Sequence, residues 1–409
     1  MLTVAQALET VLANVRPLPP ESAPLLPQTL GLILAEDIAS DLDMPPFDKA
    51  MMDGFALRTA DLRDGKAELT IIEDVPAGKT PTRVVGPGQA TRIMTGAPAP
   101  GGADAVVMIE RCELFGENRV RVNDPSLQPR KNILEKGREM RVGEKVLRAG
   151  VRLRPQEFGL LAAVGHTSVQ VRPAPRVTVL STGDELVEPG RKPGPGQIRN
   201  SNGPMLVAQT VRAGALPRFL GIARDEPGHL SSMIETGLHA DVLLLSGGVS
   251  AGKLDLVPGV LKSLGVQAIF HKVVMKPGKP LLFGIKPESN RHEPARLVFG
   301  LPGNPVSSLV CFELFVRPAL RGLMGLPPGP TWVQATLTKD HAYRTDRPTY
   351  HPAHLALTPT GWSVTIVPWF GSPDLRGVVP ANAFALIPDG DHQYRVGQIL
   401  EVLRVETEY

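Results

Sequence analysis

Apolar residues recur at helical spacing through the opening MLTVAQALETVLANV, with Glu9 and Asn14 between them, and this pattern predicts an amphipathic helix. From residue 42 to about 131 the texture changes. Short β runs at 69–72, 105–109 and 120–122 are separated by Gly and Pro, and Gly116, Glu117 and Asn118 read as a hairpin connection between two of them. Between 132 and 171, glycine-containing turns alternate with the apolar run 158–164, a predicted helix, and this stretch is expected to rejoin the first helix in one discontinuous layer.

The runs at 177–180, 242–245 and 297–299 are apolar but for Thr178 and of strand length, each followed by a loop of small residues, with helix-like segments between them. Strands apolar on both faces belong in a parallel sheet covered on both sides, so this region reads as a doubly wound α/β domain. After Pro327 short alternating strands return, at 333–337 and 363–367 for instance, with turn pairs at Thr360, Gly361 and Asp389, Gly390. They predict a small closing β-barrel or sandwich.

Composition narrows the field. At 409 residues the chain is expected to hold two to four domains of ~150 residues each. A net charge of +3 and aromatics at 5% argue against a nucleic-acid or anionic-membrane surface, which need concentrated positive charge and stacking platforms. Cys112 and Cys311 are too few for a disulfide framework or a cysteine-built zinc site, and the nine histidines form no zinc pattern. Even the densest apolar stretch, 309–316, carries Glu313, and the N-terminus lacks the basic start of a signal peptide; a cytoplasmic protein in a reducing compartment is expected. Gly and Pro, 41 each, are spread as punctuation, which fits many short strands and turns.

The loops after the three apolar strands carry the candidate chemistry. Ser181, Thr182, Gly183, Asp184 and Glu185 follow the first; Ser246, Gly247, Gly248, Val249 and Ser250 the second; Gly303, Asn304 and Pro305 the third. Glycine lets backbone N–H groups approach a ligand, and ligands of such sheets settle beyond the carboxyl ends of the strands, so three such loops on one edge point to a phosphate or oxyanion site. Asn304 ahead of Pro305 reads as a helix N-cap with proline at the first helical position, and Asn202 with Pro204 reads the same way. Lys276 and Lys279, on the proline-stiffened KPGKP segment, can converge on one polyanion. Asp184, Glu185, Asp225, Glu226 and Asp255 are acids of the kind Mg²⁺ uses beside a bound phosphate. Ser250 lacks the strand-turn-helix elbow of a nucleophile, and Cys311 reads as core packing.

Six ordered blocks then resemble one family over nearly the whole chain. PFDKAMMDGFA at 46–56, IMTGAP at 93–98 with GADAVV at 102–107, STGDEL at 181–186, SGGVS at 246–250, KPGKP at 276–280 and LPGNPVS at 301–307 are similar to the molybdopterin molybdenumtransferases, the MoeA and gephyrin E-domain family. The resemblance implies a multidomain α/β and β protein with four parts. These are a discontinuous N-terminal domain (1–41 and 136–173), a β-rich insertion (42–135), a molybdopterin-binding-like α/β domain (174–326) and a C-terminal β-barrel (327–409).

It further implies a homodimer that uses Mg²⁺ to insert molybdate into adenylylated molybdopterin, with hydrolytic release of AMP, and that contacts a molybdopterin adenylyltransferase. Carried over by position, Asp53, Glu185, Asp225 and Asp255 are the catalytic carboxylates, the last three also metal candidates, with Asp53 reaching the α/β crevice of the partner subunit. Thr95, Ser181, Thr182, Gly183, Ser246, Gly247, Gly248, Ser250, Lys276, Lys279, Pro302 and Asn304 form the substrate-binding set.

The chain departs from the family pattern at Lys49, Ala50 and Met51, where a small hydroxyl is lost and a cation gained, at Leu134 with Gly137, Arg138 and Glu139, and at Gly371, Ser372, Pro373 and Asp374. Two alternatives follow: a molybdopterin adenylyltransferase, which shares the α/β loops but not the Asp53 block, or a catalytically weakened paralogue acting as a binding scaffold.

Overall fold

The computed structural model describes residues 1–248, 256–287 and 295–405. Val249, Ser250 and Asp255 lie outside the described residues. Contacts gather the chain into two compact units, one formed by Met1–Ala23, Gln28–Ala35 and Gln170–Tyr409, the other by Pro24–Pro27 and Glu36–Val169.

The opening helix α1 (Val4–Ala13) is closed by a capping box, with Thr3 accepting from the Gln6 amide and Gln6 reaching back to the Thr3 amide. It belongs to the first unit, where Ala7 and Val11 join the same buried cluster as Val177 and Phe299. The four segments expected from the sequence remain a proposal for how the two units subdivide.

The second unit is built on a six-stranded sheet of β1 (Gly54–Leu57), β2 (Lys66–Val75), β3 (Gln89–Ile93), β4 (Ala105–Met108), β5 (Cys112–Phe115) and β6 (Arg119–Asn123), in the order β4-β1-β3-β2-β6-β5. The Gly116–Asn118 turn joins β5 to β6 as an antiparallel hairpin. Strand β1 approaches β4 so closely that a Cβ on Gly54 would sit 1.8 Å from the Val107 carbonyl oxygen, which is why glycine follows Asp53. Helix α2 (Pro155–Ala163) begins with proline at its first turn and with Glu157 accepting from the Arg154 amide.

In the first unit, β7 (Arg176–Thr182), β8 (Leu216–Ala223), β9 (Val242–Ser246), β10 (Gln267–His271), β11 (Leu282–Lys286) and β12 (Arg296–Leu301) form a sheet ordered β8-β7-β9-β12-β11-β10. Neighbours from β8 to β12 run parallel, and β11 and β10 add an antiparallel edge. Helices α3 (Asn202–Arg212), α4 (Pro227–Gly237) and α5 (Val257–Ser263) connect the strands, so the apolar runs are buried on both faces as their composition required. Beyond β12 a long helical stretch runs from α6 (Pro305–Cys311) through the π-turn Phe312–Val316 into α7 (Arg317–Leu323). Glu313, buried in that π-turn, accepts from Gln209 and Arg212 of α3 and from Arg317, so the one acid of the apolar stretch is matched on three sides.

A closed five-stranded barrel completes this unit: β13 (Trp332–Leu337), β14 (Thr349–Thr358), β15 (Gly361–Ile366), β16 (Ala383–Ile387) and β17 (Ile399–Arg404), in the order β13-β15-β14-β16-β17. The barrel is tied to the KPGKP segment by main-chain bonds: the Lys276 amide donates to the Pro348 carbonyl, and the Tyr350 amide donates to the Lys276 carbonyl. No helix among the described residues is long and apolar enough to cross a membrane.

Candidate active site

A cleft of about 770 Å³ opens in the first unit at the carboxyl ends of β7, β9 and β12. Of the residues expected there from the sequence, Thr182, Glu185, Ser246, Gly247, Lys276, Lys279, Pro302 and Asn304 line it. Gly247 has φ +90°, and a Cβ on it would lie 2.6 Å from the Thr182 carbonyl oxygen, so two strand-end loops touch only because this residue has no side chain. The Gly247 amide donates to the Leu301 carbonyl, which brings the third loop into the same patch.

Other expected residues stand back from the lining. Ser181 is buried behind it, its hydroxyl donating to Asn200 Oδ1. Gly183 and Gly248 shape the loops with positive φ, but neither is in the cleft wall. Asp225 is exposed on the neighbouring loop, where its amide donates to the Asp184 carboxylate. Asp53 and Thr95 meet in the second unit: Asp53 Oδ1 accepts from both the amide and the hydroxyl of Thr95 at 2.7 Å, and these bonds hold the exposed carboxyl below the usual carboxylate range.

Two helix starts depart from their expected form. Asn304 occupies the N-cap and Pro305 the first helical position of α6, yet the side chain makes no cap; its amide donates instead to the Ser372 hydroxyl at 2.9 Å. The position of Asn202 is also different, because Ser201 is the N-cap of α3 and Asn202 lies inside the first turn. Its amide donates to the Ser246 hydroxyl and the Gly303 carbonyl, both at 2.8 Å, and so clasps the β9 and β12 loops together. In both cases a tertiary hydrogen bond replaces the local capping bond.

The cleft also holds residues that the sequence reading did not place in a site. Arg347, Trp369 and Ser372 reach it from barrel loops, and Asn200 and Asn202 from the start of α3. The backbone carbonyl of Arg347 accepts from the hydroxyls of Thr345 and Thr349. A usable signal was the Thr-Asp-Arg-Pro-Thr turn, a cation flanked by two hydroxyls. Three buried polar atoms of the lining, Thr182 Oγ1, Asn200 Nδ2 and Asn202 Oδ1, have no hydrogen-bond partner, and native proteins leave few such atoms without a reason.

The cleft lining is therefore cationic, with Arg199, Lys276, Lys279 and Arg347, and among the described residues carries one carboxylate, Glu185. Among the described residues no three His, Cys, Asp or Glu side chains converge as a metal cage. Magnesium asks less than a cage, since it keeps several waters and takes one or two carboxylates plus substrate phosphate oxygens, and Glu185 fits that donor chemistry. The cation gained at Lys49 is matched within its own unit by Glu139 at 3.2 Å.

Two family models match the chain, the MoeA N-terminal region (domain I and II) over residues 2–165 and the probable molybdopterin binding domain over 178–322. A molybdopterin molybdenumtransferase of Bacillus subtilis (strain 168) is 36% identical over 398 residues, covering 94% of this chain and 89% of the relative. The chain belongs to the molybdopterin molybdenumtransferase family. A second member, from Staphylococcus aureus (strain MRSA252), is 32% identical and covers 100% of this chain and 96% of its own length. The crystal structure of the molybdopterin biosynthesis MoeA protein from Pyrococcus horikosii superposes with a TM-score of 0.83 at 33% identity, covering 99% of both chains. Because the likeness includes the N-terminal region and the barrel, the expected multidomain architecture holds. The adenylyltransferase alternative, which shares only the α/β loops, loses its ground.

Proposed function

We propose that this protein works in molybdenum cofactor biosynthesis as a molybdopterin molybdenumtransferase, accepting molybdate and adenylylated molybdopterin and releasing AMP by hydrolysis. One observation carries the reading: among the described residues, four cationic side chains and the hydroxyl and amide groups of three strand-end loops line a single cleft with one carboxylate. Such a cleft suits a guest that is both anionic and large, and family membership supplies the identity of that guest. Lys276, Lys279 and Arg347 bind oxyanion and phosphoryl oxygens; the hydroxyls of Thr182 and Ser246 orient them. Charge that develops on the phosphoryl oxygens as AMP departs is stabilised by ammonium groups already in place, with no reorganisation at the moment of reaction.

Glu185 is the residue proposed to hold Mg²⁺, which when bound neutralises phosphoryl charge. Asp53, held in one orientation by Thr95, is proposed as a further catalytic carboxylate; Asp225 and Asp255 are proposed as supporting acids. The functional form is proposed to be a homodimer, in the cytoplasm, that receives its substrate from a molybdopterin adenylyltransferase.

The test is release of AMP from adenylylated molybdopterin by the full chain, followed with and without Mg²⁺ and molybdate. Turnover only when both are present is the expected result. Binding of the substrate with no AMP released would instead favour a scaffold. Asp53→Ala is expected to abolish release while leaving the oligomeric state unchanged by light scattering; near-normal release would remove Asp53 from the chemistry.

A further inference from the structure

Among the described residues Trp369 is the one aromatic side chain in the cleft lining, and its only polar atom is already engaged: the indole N–H donates to His351 Nε2 at 3.0 Å. What it turns toward the cleft is therefore carbon surface. The bond also fixes the histidine. A nitrogen that accepts from indole carries no proton, so in the neutral ring Nδ1 bears it, and Nδ1 lies 3.2 Å from the Pro352 carbonyl oxygen, to which it donates. That same carbonyl accepts from the Val367 amide, two residues before the tryptophan. His351 is enclosed edge-on by rings: His341 at 5.1 Å, Tyr343 at 5.2 Å and Trp369 at 5.5 Å between centroids. Burial lowers its pKa to about 4, and the positive charges of His341 and Lys276 push the same way, so the ring stays an acceptor at neutral pH.

A tryptophan locked by a second, buried side chain differs from an incidental surface aromatic. We propose that Trp369 is a stacking wall for a planar nitrogen heterocycle of the substrate, and that His351 is the positioning residue that holds it there. The inference rests on the reading of the cleft given above and deepens it: the lysine side takes the oxyanion while the barrel side takes a ring. Adenylylated molybdopterin offers two such rings, the pterin and the adenine.

The experiment uses the full chain labelled with 5-fluorotryptophan, whose three ¹⁹F resonances from Trp332, Trp362 and Trp369 are assigned by single Trp→Phe variants. The probes are 6-hydroxymethylpterin, AMP and molybdate. The inference expects the Trp369 resonance to shift with one of the two ring probes while the other two stay, and the probe that shifts it identifies the ring. By calorimetry, Trp369→Leu should weaken that probe about tenfold or more, the scale of a lost base-stacking contact, while molybdate affinity stays within about twofold. His351→Leu should weaken the same probe less than Trp369→Leu does, and His351→Gln, which keeps an acceptor for the indole, should restore part of the loss. Trp369→Phe guards against misfolding of the leucine variant, since it keeps a ring and should keep most of the affinity. Ring binding unchanged in Trp369→Leu, or no ring binding with molybdate still bound, overturns the stacking wall and leaves the cleft reading standing. Failure of all three probes overturns both.

Discussion

The α/β wall of the cleft presents its groups on loops at the ends of three adjacent strands, whereas the barrel wall brings Arg347, Trp369 and Ser372 from two loops separated by the β14–β15 hairpin. On the first wall the chemistry is hydroxyl, side-chain amide and ammonium, held by a glycine-permitted contact. On the second it is side chains locked by other side chains. The lesson is that one cleft can be preorganised in two ways, and, if it binds the proposed anion, the two should fail differently. Loss of a group on the first wall removes charge from the guest; loss on the second lets the guest wander.

The largest expected effect tests whether both walls hold the guest. Lys279→Ala should lower AMP release about 10²–10³-fold, as removal of one preorganised charge-stabilising donor does. Arg347→Ala should cost roughly 10–100-fold, with Arg347→Lys recovering only part because an ammonium cannot grip two oxygens in a fork. If steady-state kinetics find Arg347→Ala within threefold of the parent, the barrel is a cover and the comparison is broken.

A second consequence concerns acid. His351 carries its ordinary value of 6.5 in the unfolded chain and about 4 in the folded one, so below pH 6.5 the unfolded state binds the extra proton and stability falls as pH falls. Between pH 7 and 4.5 this one group should remove on the order of 2–3 kcal/mol. His341, half-buried and itself lowered, and Lys276, whose ammonium lies 5.5 Å over the Tyr343 ring, are the other titratable groups that disfavour its charge. Urea unfolding of the parent and of His351→Gln at the two pH values isolates the contribution. Parallel slopes in the two proteins would mean that His351 does not titrate between the folded and unfolded states.

Which parts of this were legible in the sequence follows from how local the determinants are. Strands β7, β9 and β12 announced themselves because burial on both faces leaves Thr178 the one polar position in their apolar runs, and the loops after them carry the glycines that close approach requires. Asn304 was read correctly as the N-cap residue of α6, but its side chain makes no capping bond, since its partner Ser372 is 68 positions away and no local pattern encodes that bond. Trp369 and His351 are 18 positions apart on the strand and loop that the barrel brings together; in sequence each is one aromatic or one histidine among turns. The placement of the carboxylates was not legible, because acids cluster next to phosphate loops for several causes; of the pair Glu185 and Asp225, only Glu185 lines the cleft.

The two walls should also differ in how they tolerate a methyl group. Gly247→Ala meets the Thr182 carbonyl at 2.6 Å and a left-handed φ of +90°, so it should cost about 1–3 kcal/mol and lower affinity for molybdate through the displaced loop. Gly371→Ala has a comparable φ of +105° but its nearest neighbour is Pro373 Cδ at 3.9 Å, which leaves the backbone strain alone, about 1 kcal/mol. Equal losses in thermal unfolding would show that conformation, not contact, sets the glycine requirement on the α/β wall.

The smallest effect is expected where the walls touch. Ser372 joins them twice: its hydroxyl accepts from Asn304 Nδ2, and its carbonyl accepts from the Val306 amide at 3.1 Å. Ser372→Ala deletes only the first bond. Because the Asn304–Ser372 pair is exposed, water replaces the lost partner, and the stability change should be about 0.5–1 kcal/mol or less by urea unfolding. The released Asn304 amide is then free to turn toward its own helix start, where the N-cap geometry already exists, and offset part of the loss. The KM for molybdate should still rise a few-fold, since the contact that holds two loops in register is gone. A KM unchanged in Ser372→Ala, beside a marked loss in Arg347→Ala, would assign the barrel wall's contribution to charge alone and leave no role for its alignment with the α6 start.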